Sequence, residues 1–260
     1  LGPNGAGKTT TIRLLLDLIR PTRGRASLLG MDSRRDSLAI RRRLGYIPGE
    51  IAFYESLTGR QTVALHASLT GGVDGSRLAA LVERLALDLG RPVKTYSSGT
   101  KQKLALLLAL VHDPELLILD EPTLGLDPLM QQEFYRIVQE EQGRGKTVFL
   151  SSHILPEVER VCQRVGMVRE GRLVAVEKMT DLQRKKVRRM ELVLRHPAPP
   201  GTFAIEGVKV LRQEDSRVEL AVRGGLEELL RRIAALEVQD MVFPHASLED
   251  TFMEYYQEKP

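Results

Sequence analysis

Short apolar runs and helix-like apolar periods alternate along the first 180 residues. Residues 116–119 are a continuous apolar run that ends in two acids, and residues 147–152 form a second run rich in β-branched residues. Both runs predict strands, and the first is typical of a strand buried on both faces, as in a parallel sheet. Ile12, Leu15, Leu16 and Ile19 recur at helical spacing, which predicts a helix that Pro21 ends.

Further helices are predicted over residues 104–111 and 129–142, and the whole stretch from 56 to 111 is mostly helical in pattern, with breaks at Gly71, Gly72 and Gly75. Strands and helices in this order predict an α/β domain, with a mainly parallel sheet, over residues 1–180.

The pattern changes after residue 180. Alternating segments at 190–195, 208–212 and 217–222 predict short strands, with a hairpin turn at 213–216. Residues 226–236 predict an amphipathic helix, residues 237–243 another strand, and Ser247 the cap of a last helix that runs to Tyr256. We therefore predict a small C-terminal α+β domain over residues 181–260, which carries no catalytic constellation.

Composition narrows the class of protein. The chain has 260 residues, of which 42% are hydrophobic and 28% charged, as in soluble globular proteins. Its longest apolar run, residues 104–111, is far short of the roughly 20 residues that span a bilayer. The single cysteine, Cys162, excludes an internal disulfide, fits a reducing compartment and is expected in the core.

The net charge is only +4, but basic residues cluster at 34–43 and 184–189. These clusters fit either a solvated surface or a surface for anionic lipid or nucleic acid. No aromatic residues are interleaved with them, as a surface that stacks on bases would require.

The first residues carry the strongest chemical pattern. Residues 2–9, GPNGAGKT, match G-x-x-x-x-G-K-[ST]. Glycines at positions 2, 5 and 7 are expected to adopt dihedrals that are closed to other residues, so that backbone N–H groups converge on phosphate oxygens. Lys8 would reach the outer phosphates and Thr9 would offer a hydroxyl to Mg²⁺. An ordinary glycine-rich turn would not require Lys and Thr at those two positions, so we predict a nucleotide site.

Two adjacent carboxylates, Asp120 and Glu121, end the predicted strand at 116–119. In a phosphate-loop enzyme Asp120 would hold Mg²⁺ and Glu121 would orient the attacking water. Taken alone, the segment is equally consistent with a strand that ends in solvated acids. His153 follows the strand at 147–152, and alone it would be interpreted as a surface residue. His66 and His112 have no partner at ligand spacing and are expected to be structural.

The segment YSSGT at residues 96–100 places small residues before a helix. It predicts either a second anion site or an ordinary serine N-cap. A further turn-like segment, LGLDP, spans residues 124–128.

The order of the phosphate loop, YSSGT, LLILDEP, LGLDP and SSH resembles the ATPase subunit of an ABC transporter, over residues 1 to about 180. The PGE segment at 48–50 and the C-terminal domain resemble the drug and antibiotic exporter branch. The resemblance implies a P-loop NTPase fold with an inserted helical subdomain at about 56–111.

The resemblance also assigns roles to residues. It implies catalytic roles for Lys8, Glu121 as base and His153 as the residue that contacts the terminal phosphate, and metal binding by Thr9 and Asp120. Asp127 would communicate between protomers. It implies nucleotide contacts from Asn4, Gly5, Ala6, Gly7, Lys8, Thr9, Thr10, Ser97 and Gly99, the last two acting in trans on ATP held by a second subunit.

The function implied is ATP hydrolysis with Mg²⁺, in a homodimer or heterodimer, that powers export through a permease on a separate chain. The protein would be cytoplasmic and peripheral on the inner face of the plasma membrane, with no nucleic acid partner. Residues 54–60 would form a docking surface for the permease, although they also fit a surface loop without a partner. Two alternatives are an ABC-type ATPase that acts on nucleic acid or ribosomes, and a truncated, inactive nucleotide-binding chain.

The sequence departs from the family pattern in three places. Tyr96, Ser98 and Thr100 replace the first, third and fifth residues of LSGGQ, which weakens the inferred contact in trans. Gly49, followed by Glu50, stands where the family commonly has Gln, and glycine has no side chain for that role. The strand before the phosphate loop and the aromatic residue that stacks on adenine are expected upstream of Leu1, and loss of that strand would leave a gap in the sheet.

Overall fold

The computed structural model describes residues 1–185 and 188–244, with backbone alone for residues 183–185. The chain divides into two compact units. One comprises residues 1–162 and 166–174, and the other comprises residues 163–165 and 175 onward. The division of the chain at residue 180 into two functional domains stays a prediction.

The first unit contains most of the helices and a parallel sheet. Its helices are α1 (Lys8–Leu15), α2 (Ser37–Arg42), α3 (Gly59–Thr70), α4 (Gly75–Arg84), α5 (Ser98–Val111), α6 (Pro128–Gly143) and α7 (Leu155–Val161). Its strands are β1 (Ser27–Leu28), β2 (Met31–Asp32), β3 (Leu44–Ile47), β4 (Leu116–Asp120) and β5 (Thr147–Ser151). A hairpin of β6 (Arg164–Arg169) and β7 (Arg172–Lys178) follows.

The central sheet has the order β3-β4-β5 with all strands parallel. Every residue of β4 is buried, as its continuous apolar run predicts. Leu117 and Leu119 face a core formed mainly by α5 and α6, whereas Leu116 and Ile118 face α1. The register pairs Asp120 with Ser151, so the residues after β4 and after β5 lie at the same edge of the sheet.

The strands predicted at 116–119 and 147–152 and the helix predicted at 129–142 are confirmed. The prediction that the first helix continues to Pro21 is wrong. Helix α1 ends at Leu15, because Asp17 has a left-handed backbone with φ 54°, which a right-handed helix cannot contain. Ile19 therefore lies outside the helix and is partly exposed.

A cluster of five charged residues connects the helical region to the sheet. Asp113 and the buried Glu141 each lie within 4 Å of all three cations of the cluster, which are Arg77, Arg144 and Lys146. These residues come from α4, from the loop before β4, from α6, and from the segment that joins α6 to β5. The cluster therefore fastens α4 to the elements that carry the sheet.

The second unit is an α+β structure. It contains α8 (Met179–Lys185), β8 (Arg188–Leu194), β9 (Val208–Glu214), β10 (Arg217–Val222), α9 (Leu226–Ala234) and β11 (Val238–Val242). The antiparallel sheet has the order β11-β8-β10-β9, and α9 contributes Leu229 and Ile233 to its core. The predicted strands and helix agree with β8 to β11 and α9 to within two residues. The helix predicted from Ser247 to Tyr256 lies outside the described residues.

Across residues 1–185 and 188–244, every helix is too short or too polar to cross a lipid bilayer.

Candidate functional site

The glycine-rich loop at residues 2–7 leads directly into α1, which begins at Lys8. Gly5 and Gly7 have φ angles of 78° and 104°, in the region that favours glycine, as the sequence predicts. Gly2 is different. Its φ is not positive, but a Cβ atom there would lie 2.4 Å from the carbonyl oxygen of Val168, so glycine is required by close approach to another backbone. The dihedral argument was wrong for Gly2.

The side chain of Lys8 folds back over this loop. Its Nζ donates hydrogen bonds to the carbonyl oxygens of Gly2 at 2.7 Å and Pro3 at 3.2 Å, and lies 3.4 Å from Oε1 of Glu121. The amine therefore lies between the loop and the acid that ends the β4 region. Within the remaining predicted phosphate-binding residues, Ala6 is buried, Thr9 is half-buried, and Asn4 and Thr10 are exposed.

Glu121 also contacts His153. Nδ1 of His153 lies 2.8 Å from Oε2 of Glu121, so the two residues that follow β4 and β5 meet at the sheet edge. Glu121 has a left-handed backbone with φ 49°, which is unusual for a residue with a side chain. Backbone conformations of this kind cluster at functional sites, where the surrounding structure holds them.

Asp120 is fully buried and only half satisfied. Its Oδ1 accepts a hydrogen bond from the Ser151 hydroxyl, whereas Oδ2 has no hydrogen-bond partner in the part of the chain that is described. That oxygen points towards Gly49, where a Cβ atom would lie 3.0 Å away. Because a buried carboxylate oxygen without a partner is costly, its position beside Gly49 fits a hard divalent cation or its bound water as the missing partner.

Thr9 and Asp120 supply oxygen donors, which are the donors that Mg²⁺ prefers. The described residues hold no cluster of three or more His, Cys, Asp or Glu that would bind a metal ion without such additional oxygens.

Ser97 and Gly99 lie at the start of α5. Ser97 Oγ accepts a hydrogen bond from the Thr100 backbone N–H at 3.2 Å, so it serves as an N-cap, one of the two roles that the sequence allowed. A Cβ on Gly99 would lie 2.8 Å from the carbonyl oxygen of Gly125. Among the described residues, no hydrogen bond or ion pair joins Ser97 or Gly99 to Lys8, Glu121 or His153. Residues 124–128 lead into α6, which Asp127 caps by accepting from two backbone N–H groups.

His66 and His112, which the sequence analysis treats as structural residues without a partner at ligand spacing, contact each other. His66 Nε2 lies 3.3 Å from His112 Nδ1, and His112 Nε2 lies 3.1 Å from the Leu44 carbonyl oxygen. Burial, reinforced by His112, lowers the pKa of His66 to about 4. Cys162 is half-buried against the main core, and burial raises the pKa of its thiol to about 11.

Sequence reasoning missed several buried polar residues around the acids, namely Thr123, Ser151, Ser152 and Glu157. Ser151 and Ser152 are part of the SSH segment that was singled out for its histidine. The signal for Glu157 is its position in the first turn of α7, four residues after His153. An acid there is ordinarily explained by the helix dipole and solvent, so its burial could not be read from the sequence.

A family model described as ABC transporter matches residues 1–124. The bacitracin transport ATP-binding protein BcrA of Bacillus licheniformis is 39% identical over 197 residues, or 75% of this chain. The chain spans 64% of the length of BcrA.

A second relative is covered more fully. The daunorubicin resistance ATP-binding protein DrrA3 of Streptomyces coeruleorubidus is 36% identical over 97% of this chain and 84% of its own length. A solved structure titled as the ATP binding subunit of an ABC transporter is similar with a TM-score of 0.66 and 33% identity, over 71% of this chain and 79% of that one.

Proposed function

The chain belongs to the family of ABC transporter ATP-binding proteins, and from this premise we propose that it binds and hydrolyses ATP to power export through a permease on a separate chain. The proposal of export draws on relatives that are named for bacitracin transport and daunorubicin resistance. The observation that carries the chemistry is the meeting of Lys8, Glu121 and His153 beside the glycine-rich loop.

The proposed reaction is in-line attack of water on the terminal phosphate of ATP. Glu121 accepts a hydrogen bond from the attacking water and orients it. Lys8 exchanges its contacts with the Gly2 and Pro3 carbonyl oxygens for phosphate oxygens, and His153 donates to the terminal phosphate. Both groups offset negative charge that is spread over the phosphate oxygens in the transition state.

The Thr9 hydroxyl and Oδ2 of Asp120 would hold Mg²⁺, directly or through its water. When bound, Mg²⁺ supplies positive charge beside the phosphates. Ser151 fixes the other oxygen of Asp120, which leaves Oδ2 directed at the space beside Gly49.

A second ATPase subunit would cover the segment around Asp127 and bring its own Ser97 and Gly99 to the nucleotide. Leu129, at 77% exposure, and Leu124 are apolar side chains in solvent on either side of Asp127. Burying them against a partner would be favourable, since most of each apolar side chain is exposed to solvent in this chain.

The permease would dock on residues 54–60, which would place this subunit at the inner face of the plasma membrane. Tyr54 is 70% exposed. Glu55 forms an ion pair with Lys101 of α5, with Nζ and Oε1 2.9 Å apart. The backbone N–H of Val93 donates to the carbonyl oxygen of Leu57 at 2.8 Å. The docking segment therefore contacts Val93 and Lys101, which lie on either side of Ser97 in the sequence. Through these contacts, a movement of the permease would be transmitted to Ser97 and so to the ATP held by the second subunit.

The test is Glu121→Gln in the natural full-length protein. The amide keeps the shape of the side chain and removes the carboxylate that orients water, so we expect ATP hydrolysis to fall at least about 100-fold. Binding of Mg-ATP, measured by equilibrium titration, should stay within about threefold of wild type and stabilise a dimer in size-exclusion chromatography.

The matched control is Glu214→Gln, which makes the same chemical change on an exposed residue of β9. It should retain wild-type turnover. Turnover by Glu121→Gln that equals the control would overturn the role of Glu121, and failure of the wild-type protein to retain Mg-ATP would overturn the function.

A further inference from the structure

Glu157 is a buried acid beside the candidate site. It lies on α7, is 1% exposed and has no cation within ion-pair distance among the described residues. Its Oε2 accepts a hydrogen bond from the Ser152 hydroxyl, and its Oε1 has no hydrogen-bond partner in the described chain. Burying such a group is costly, so its placement needs a reason other than stability.

Glu157 is connected by hydrogen bonds to the residues that flank His153. The buried Ser152 hydroxyl donates to Glu157 and accepts from the backbone N–H of Ile154 at 2.9 Å. These two hydrogen bonds bracket His153, because Ser152 precedes it and Ile154 follows it. The carboxyl group of Glu157 therefore holds the short segment that presents the imidazole.

Glu157 also lies close to the segment that carries Glu121. The hydroxyl of the buried Thr123, two residues after Glu121, is near enough to the Glu157 carboxyl group to act on its pKa. Burial raises the pKa of Glu157, the hydroxyls of Ser152 and Thr123 oppose this rise, and the charges of Glu121 and His153 act on it in opposite directions. A buried Gln102 fixes the same segment from α5, since its Nε2 donates to the Pro122 carbonyl oxygen at 2.6 Å.

We propose that Glu157 is a positioning residue for ATP hydrolysis, which holds the segment bearing His153 in register with the segment bearing Glu121. The proposal rests on the proposed function, since turnover is one of its readouts. Glu157 does not touch the reacting atoms. It acts by keeping the Glu121–His153 pair, 2.8 Å apart here, at the distance and angle that the terminal phosphate requires.

The test compares Glu157→Leu and Glu157→Gln in the full-length protein. Leucine fills the space but cannot accept from Ser152, whereas glutamine retains an acceptor oxygen. We expect leucine to lower kcat about 10- to 100-fold while the Kd for Mg-ATP stays within about threefold, because misplacement of catalytic groups has effects of this size. Glutamine should restore kcat to within about threefold of wild type.

Glu141→Leu is the matched control, because Glu141 is also a buried acid but contacts only the charged cluster of α4 and α6. It should lower the Tm without lowering the kcat of the folded protein. Ser152→Ala tests the same contact from the other partner, should Glu157→Leu fail to fold, and we expect it to lower kcat about 10-fold. Unchanged kcat in Ser152→Ala, or in a folded Glu157→Leu, would overturn the proposal.

A second readout does not depend on turnover. The chain has five histidines, so the imidazole of His153 can be followed by NMR. We expect Glu157→Leu to shift or broaden the His153 resonances and Glu141→Leu to leave them unchanged. Unchanged His153 resonances in the leucine variant would contradict the positioning role. A wild-type protein without ATPase activity, but with His153 resonances sensitive to Glu157, would instead contradict the proposed function alone.

Discussion

At the scale of single residues, Gly49 shows how an absent side chain can matter. The family commonly has Gln at this position, and glycine cannot supply its amide. A Cβ atom at this position would lie 3.0 Å from Oδ2 of Asp120, so glycine keeps side-chain atoms away from that oxygen. Gly49 therefore leaves room for the proposed metal ion or its water beside a buried carboxylate oxygen that has no other partner among the described residues.

The His66–His112 pair makes stability depend on pH. The pKa of His66 is about 4 in the folded chain, below its ordinary value of 6.5, because burial disfavours the charged ring. Above pH 6.5 neither state binds the proton, and between pH 6.5 and 4 the unfolded chain binds it preferentially. The free energy of unfolding should therefore fall as pH drops through this window.

Urea unfolding at pH 7.0 and pH 5.0 measures this effect. The loss between the two pH values should be smaller in His66→Gln than in wild type, although burial also lowers the pKa of the remaining His112. Acids with lowered pKa values, such as Glu141, lose their contribution mainly below about pH 4.5 and so affect this comparison little. An equal loss in both proteins would show that His66 is not the group responsible.

At the scale of elements, a methyl group added at the start of α5 should affect stability differently from one added at the end of α6. A Cβ on Gly99, in the first turn of α5, would lie 2.8 Å from the backbone oxygen of Gly125, so one of the two segments must move. We expect Gly99→Ala to lower the free energy of unfolding by about 1–3 kcal/mol. Chemical denaturation, followed by circular dichroism, measures it.

Gly143, the last residue of α6, is the matched control because a Cβ there meets no atom within 4 Å. Gly143→Ala should raise the free energy of unfolding by about 0.5 kcal/mol, since alanine loses less conformational freedom on folding. A stable Gly99→Ala variant would show that α5 and the 124–128 segment are not tightly packed.

Elements defined by local pattern were predictable, and those defined by unusual dihedrals were not. The run 116–119 predicts β4 because a short, continuous apolar run is typical of a strand buried on both faces. The β6–β7 hairpin was missed because its two-residue turn, Glu170–Gly171, has positive φ at both positions but lacks the usual Asn or Asp. The end of α1 was missed for a similar reason at Asp17.

The candidate site shows the same limit. Lys8, Asp120, Glu121 and His153 were predicted because motifs carry them. The contact between Glu157 and Ser152 was not, because the burial of an acid depends on how α7 packs, which no local pattern records.

At the scale of the whole molecule, the two compact units give nucleotide binding a local signature. Mg-ATP should protect backbone amides of the first unit that face it, because a ligand stabilises the structure that binds it. Hydrogen exchange with Glu121→Gln, which preserves the ATP, should slow at residues 4–9 and 152–154 and stay unchanged in β10 of the second unit. Equal slowing in both units would contradict a site confined to the first.

The charged cluster around Glu141 contains spare partners. Each of Arg77, Arg144 and Lys146 reaches both acids, so an inherited change at one base leaves Asp113 and Glu141 still neutralised by the other two. Loss of the Glu141 carboxylate is not compensated in this way, because the three cations would then repel one another around Asp113 alone. Descendants of this protein should accordingly tolerate substitution of any one of the three basic residues and retain Glu141.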